Sequence, residues 1–153
     1  MRHILTLNAG SSSIKFALFE EGEGLSEALR GQIEGLGTAS PHLEAQLRGS
    51  PLADEKLAAA SAADHEAALD VVLDVLQRAI GRSTVDAVGH RIVHGGLAFT
   101  RPTVIDDDVL RGLETLNPLA PLHQPHNLSG VRAAHRAFAD ALQVACFDTA
   151  FHR

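Results

Sequence analysis

The chain has 153 residues, 45% of them hydrophobic and 21% charged, a length and balance that suit one soluble globular domain and exclude disordered and fibrous classes. Thirteen Lys and Arg against 19 Asp and Glu give a formal net charge of -6, which repels a polyanionic backbone, so nucleic acid is not an expected partner. The single cysteine, Cys146, cannot form an internal disulfide, and its apolar neighbours point to a buried, unreactive thiol in a reducing compartment.

In chain order, His3 to Leu7 is a short apolar run ending in Asn8-Ala9-Gly10-Ser11-Ser12-Ser13. Ile14 to Phe19 then resumes an extended pattern, which reads as a β-hairpin around a polar loop. Ile14, Phe16 and Leu18 share one face of that second strand, so Lys15 points to the other. A third strand is expected over 29–36 after the glycine-rich turn 21–24. The stretch 42–47 alternates as a small hairpin arm, and no chemistry is assigned to it. Leu69, Val72, Leu73, Leu76 and Ile80 fall at helical spacing, with Ser61 or Asp64 as N-cap and Gly81 as the stop.

Farther on, a strand is expected over 85–93, and Asp106-Asp107-Asp108 opens a second helix with acids that complement its dipole. A third helix presents Leu128, Val131, Ala134 and Phe138 inward, and a last strand covers 144–148. The order gives an α/β domain with a mixed β-sheet and flanking helices. Residues 1–20 carry no signal-peptide pattern and no stretch is long enough to span a bilayer, so a cytoplasmic protein with no membrane partner is expected.

Four constellations carry chemistry. The loop Gly10-Ser11-Ser12-Ser13 with Lys15 offers backbone N–H groups, hydroxyls and an ammonium to a phosphate chain, although a Gly/Ser hairpin by itself is more often only a turn. Gly89-His90-Arg91-Ile92-Val93-His94-Gly95-Gly96 carries Arg91 inward between two histidines; arginine grips a carboxylate or phosphate bidentately, and the alternative is a structural ion pair at a strand end. The H-x-x-x-H spacing does not make a zinc site, because residues four apart on a strand are about 13 Å apart and no Cys or carboxylate completes a set. Pro118 to Pro125 presents His123 on a stiffened loop before a helix, where an anion or a cap is equally suited. Phe147-Asp148 puts an acid at the carboxyl end of an apolar strand, where open α/β sheets place their chemistry and where a helix cap is also common.

Leu5 to Phe16, with its Asn8-Ala9-Gly10-Ser11-Ser12-Ser13-Ile14-Lys15 core, resembles the N-terminal signature of the acetate kinases. Gly89 to Gly96, Pro118 to Pro125 and Val144 to His152 resemble three further blocks of that family, in its order and spacing. Gln124 stands where the family commonly has Asn, and Arg153 where Gln is usual.

The resemblance implies the ribonuclease-H-like fold of the acetate and sugar kinase, Hsp70 and actin superfamily, in which two such domains close over ATP. Residues 1–153 would be the first domain, without the C-terminal nucleotide-binding one. It implies reversible phosphoryl transfer from ATP to acetate, giving ADP and acetyl phosphate, with Mg²⁺ (or Mn²⁺) as cofactor and a homodimer at full length. By the same carry-over Asn8 belongs to the magnesium site, Lys15, Gly10, Ser11, Ser12 and Ser13 lie near the ATP phosphates, Arg91, Val93, Leu122 and His123 bind acetate, and Asp148 is the catalytic acid. Acetate is ionised at neutral pH and needs no general base, so Asp148 is expected to orient Arg91 or the metal's water shell. Family members run on for well over as many residues again, and the remainder holds the rest of the site, so this chain is expected to be inactive alone. The alternatives are a propionate kinase and a non-catalytic remnant that dimerises or binds a partner.

Overall fold

The computed structural model describes residues 2–81, 84–92, 102–115 and 124–147. Five strands come first: β1 (Arg2–Ala9), β2 (Ser13–Glu21), β3 (Leu25–Glu34), β4 (His42–Leu47) and β5 (Ser50–Lys56). They pair antiparallel, each with the next. A short 3-10 turn (Ala59–Ala62) and helix α1 (His65–Ile80) then return the chain to β6 (Ala87–Ile92), which lies parallel to β1. The short β7 (Thr103–Val104), α2 (Asp107–Glu114) and α3 (Gln124–Ala137) lead to β8 (Leu142–Phe147), parallel to β6. The described strands form one eight-stranded mixed sheet in the order β5-β4-β3-β2-β1-β6-β8-β7, the α/β architecture expected.

Alternation decides the layering. Leu5, Leu7 and Ala9 of β1 and Ile14, Phe16 and Leu18 of β2 turn to one face. There they meet Leu69, Val72, Val75 and Leu76 of α1 and Ala133 and Ala134 of α3 in one core cluster. A second cluster joins Ile92, Leu113, Leu128, Val131 and Ala145 under α2 and α3. Each fully buried Leu or Ile contributes roughly 1.5–3 kcal/mol by leaving water. Two glycines permit close approach on this face. A Cβ at Gly31 would fall 2.4 Å from the Phe16 ring, and one at Gly130 of α3 would fall 2.8 Å from Ala9 Cβ.

Helix α1 starts and stops as its sequence predicts. Asp64 accepts a hydrogen bond from Ala67 N at 2.8 Å, and Gly81 ends the helix at φ 62°. Asp106 likewise caps α2 by accepting from Val109 N. Of the expected inner face of α3, Leu128, Val131 and Ala134 are fully buried and Phe138 is partly so.

The strands depart from expectation in extent. β3 begins at Leu25, not Leu29, because the tight turn lets it continue pairing with β2 across a bulge at Leu18/Phe19. The stretch 42–47 is one arm of a hairpin with β5, as expected, and that hairpin continues the main sheet: β4 also pairs along β3, with Leu43 and Ala45 buried between exposed neighbours. β5 then forms one edge of the sheet, where Pro51 is tolerated because only one side of the strand needs its N–H groups. β7 was not expected, since two residues are too few to show a period.

Candidate active site

The sheet's second face carries no described helix. Its polar residues follow from the register. Asn8 pairs with Lys15, Lys15 with Gln32, and Gln32 with Glu44, so the four form one cross-strand row. On the other side of Asn8, Arg91 stands one residue beyond the Leu7–His90 pair and is itself paired with Cys146. These side chains line a cavity of about 640 Å³ over the centre of the sheet. Lys15 and Arg91 are both exposed and stand two strands apart, roughly 10 Å at the usual strand spacing. Two cations with an amide between them suit an anion, despite the chain's overall negative charge.

The Gly10–Ser12 loop closes the β1–β2 hairpin one residue beyond the Asn8–Lys15 pair, beside the middle of this row. Gly10 N–H donates to the Ser13 carbonyl at 2.9 Å, and Leu36 N–H donates to the Ser12 carbonyl at 2.9 Å. A Cβ at Gly10 would meet Ser13 Oγ at 2.9 Å, a contact that a turn of the Ser13 side chain relieves. Ser11 and Ser12 are exposed and Ser13 half-buried. From the other face, buried His65 at the start of α1 brings Nε2 to 2.6 Å from the Gly10 carbonyl.

The structure thus brings together Asn8, Gly10, Ser11, Ser12, Ser13, Lys15 and Arg91. Val93, Leu122, His123 and Asp148 lie outside the described residues, as does His94. Two expectations are corrected. Arg91 does not point inward beside histidine, because neighbours on a strand face opposite ways: Arg91 is exposed on the open face while His90 is buried under the helices. His90 Nε2 donates to Gln143 Oε1 at 2.6 Å, and burial pushes its pKa down to about 4, so it is neutral at pH 7 and serves the core. Cys146 is half-buried, not buried, since it lines the cavity. Burial still raises its pKa, which keeps the thiol protonated as expected.

Sequence reasoning missed three contributors. Gln32 and Glu44 line the cavity, and their strands gave no cue because only pairing sets them beside Lys15. His65 gave none either; next to an N-cap it reads as an ordinary first-turn residue.

The fit to a divalent metal is narrow. Among the described residues no group of three or more His, Cys, Asp or Glu is placed to hold an ion, and Asn8 offers one neutral oxygen between two cations. That donor set fits a hydrated ion arriving on a phosphate chain, with Asn8 at its water shell, and not a resident all-protein site. Among the described helices none is long and apolar enough to cross a membrane.

Comparison with known proteins agrees with the sheet. The model of the acetokinase family matches residues 3–153. The chain is 47% identical to an acetate kinase of Nitrobacter hamburgensis, over all of this chain and 38% of that protein. Among solved structures, an acetate kinase of Porphyromonas gingivalis superposes with a TM-score of 0.88 at 35% identity, and a propionate kinase of Francisella tularensis with 0.88 at 32%; each match covers 99% of this chain and 38% of the other. The chain therefore spans about 40% of the length of the curated relatives it matches. The family match over nearly every residue, with Asn8, the serine loop and Lys15 brought to one end of an open sheet face, makes this chain a member of the acetokinase family.

Proposed function

We propose that residues 1–153 form the first of two ribonuclease-H-like domains of a cytoplasmic, dimeric acetate kinase, which transfers a phosphoryl group between ATP and acetate with acetyl phosphate and ADP as products. The observation that carries this reading is the row Lys15–Asn8–Arg91 over the open cavity, with the serine loop beside its Asn8–Lys15 pair. Lys15 and the Gly10–Ser13 loop, through the Ser11 N–H and the serine hydroxyls, take the nucleotide phosphates, and Arg91 holds the carboxylate or the transferring phosphoryl group. Val93, Leu122 and His123 are assigned to the acetate pocket, and Asp148 to the orientation of Arg91 or of the metal's water shell. Acetate is already a carboxylate at neutral pH, so catalysis is positioning and charge neutralisation of an in-line transfer. Mg²⁺ (or Mn²⁺), when bound with the nucleotide beside Asn8, supplies part of that neutralisation.

Because phosphoryl transfer needs both walls of a cleft, the 153-residue chain is expected to bind ATP weakly and to show no turnover alone. The test is a chimera in which these residues replace the matching part of the N. hamburgensis acetate kinase. It should form acetyl hydroxamate from ATP, acetate and hydroxylamine. Arg91→Ala in the chimera should lower kcat/KM for acetate by roughly 10²-fold, the scale seen when one electrostatic donor is removed. A folded chimera without activity, or an Arg91→Ala variant that keeps it, overturns the assignment. The propionate kinase structure superposes with the same TM-score as the acetate kinase one, so propionate is the alternative acceptor, and kcat/KM for acetate against propionate in the same chimera decides between them.

A further inference from the structure

Among the described residues three bonds hold the Gly10–Ser12 loop, and each engages a carbonyl oxygen. The Ser13 and Ser12 carbonyls accept from Gly10 N and Leu36 N, and the Gly10 carbonyl accepts from His65. A carbonyl only accepts, so the imidazole carries a proton on Nε2 and donates it. His65 is 8% exposed, which shields this bond from water.

Peptide planarity gives the bond a consequence at a distance. The Gly10 C=O and the Ser11 N–H belong to one peptide group, and in a trans peptide the two point in opposite directions; no described peptide is cis. By drawing the Gly10 oxygen toward the helix layer, His65 turns the Ser11 N–H away from it, to the side where Asn8 and Lys15 stand. An anion is attracted by N–H groups and repelled by carbonyl oxygens. Gly10 is the residue of the loop with the lowest barrier to a peptide flip that would exchange the two.

We propose that His65 is a positioning residue: through its Nε2–H bond to Gly10 it fixes the Gly10–Ser11 peptide so that the Ser11 N–H donates to a phosphate oxygen. This rests on the phosphate reading of the loop given above. The imidazole itself touches no ligand and acts from the far side of the sheet.

The test uses NMR of the 153-residue chain, reading the residual dipolar coupling of the Ser11 N–H and its chemical shift during titration with inorganic tripolyphosphate. In His65→Leu the coupling should change and the affinity fall roughly tenfold, about 1.4 kcal/mol, the scale of one hydrogen bond. His65→Gln, whose side-chain amide can donate to the same oxygen, should restore the coupling and bring affinity within about threefold. If His65→Leu does not fold, His65→Asn, too short to reach Gly10, takes its place. A folded variant with an unchanged Ser11 coupling overturns the positioning claim. A changed coupling with unchanged affinity overturns the ligand role. A wild-type chain whose Ser11 amide ignores tripolyphosphate overturns the phosphate reading, and the coupling still decides whether His65 orients the peptide.

Discussion

The two faces of the sheet are built from the same strands and obey different rules. On the helix side, Leu5, Leu18, Leu29 and Ile33 are wholly buried, and the polar groups among them have partners: His65 on Gly10 and His90 on Gln143. On the open side, Asn8, Lys15 and Arg91 keep their polar ends at a cavity. A single residue's step along β2, from Ile14 to Lys15, crosses from one regime to the other. The lesson is that stability and chemistry are separable here by face and not by segment, because a strand's period of two deals alternate residues to each.

That separation is open to direct attack. The largest effect is expected for Leu18→Ala on the buried face, a loss of about 3 kcal/mol in unfolding free energy by urea denaturation, since a cavity is left in a fully packed site. A loss below about 1 kcal/mol would mean that the face is loosely packed.

Next comes the buried imidazole. His90 titrates near 4 in the fold, against 6.5 for an exposed histidine. Between those values the unfolded chain binds the extra proton, so the stability that neutral His90 contributes is present above about pH 6.5 and is lost as pH falls toward 4. The loss is on the order of 3 kcal/mol by the shift. Denaturation at pH 7.5, 6 and 4.5 should show this slope, and His90→Asn should flatten it. Parallel slopes for the two proteins would refute the assignment.

A smaller effect is expected for Gly130→Ala. The added methyl meets Ala9 at 2.8 Å, so α3 must shift, costing about 1–2 kcal/mol as overpacking does. A neutral result by thermal melting would show that α3 moves freely against β1.

Smallest is Lys15→Met on the open face, expected to change stability by less than about 0.5 kcal/mol while weakening tripolyphosphate binding. A Lys15→Met protein that unfolds as readily as Leu18→Ala would break the division between the faces.

The division of labour between sequence and fold can be followed residue by residue. The sequence by itself determined the β1–β2 hairpin, the opposite facing of Ile14 and Lys15, the stop of α1 at Gly81, the acids that open α2, and the inner face of α3, while it left Ser61 and Asp64 both open as the cap of α1. Each of these depends on a local period or a local backbone requirement, and such signals are written within a few residues. Asn8, the serine loop and Lys15 were legible for the same reason, since one hairpin holds them all.

Only the tertiary structure decided the rest. The parallel pairing of β6 with β1 sets Arg91 beside Asn8 from 83 positions away in the chain. The register of β3 and β4 adds Gln32 and Glu44 to the row, and the packing of α1 delivers His65 to Gly10 across 55 positions. It also reversed one local expectation, because His90 goes under α3 and leaves Arg91 on the open face. Pairing partners and helix docking are chosen by the burial of whole faces at once, a global sum that no short stretch of sequence contains.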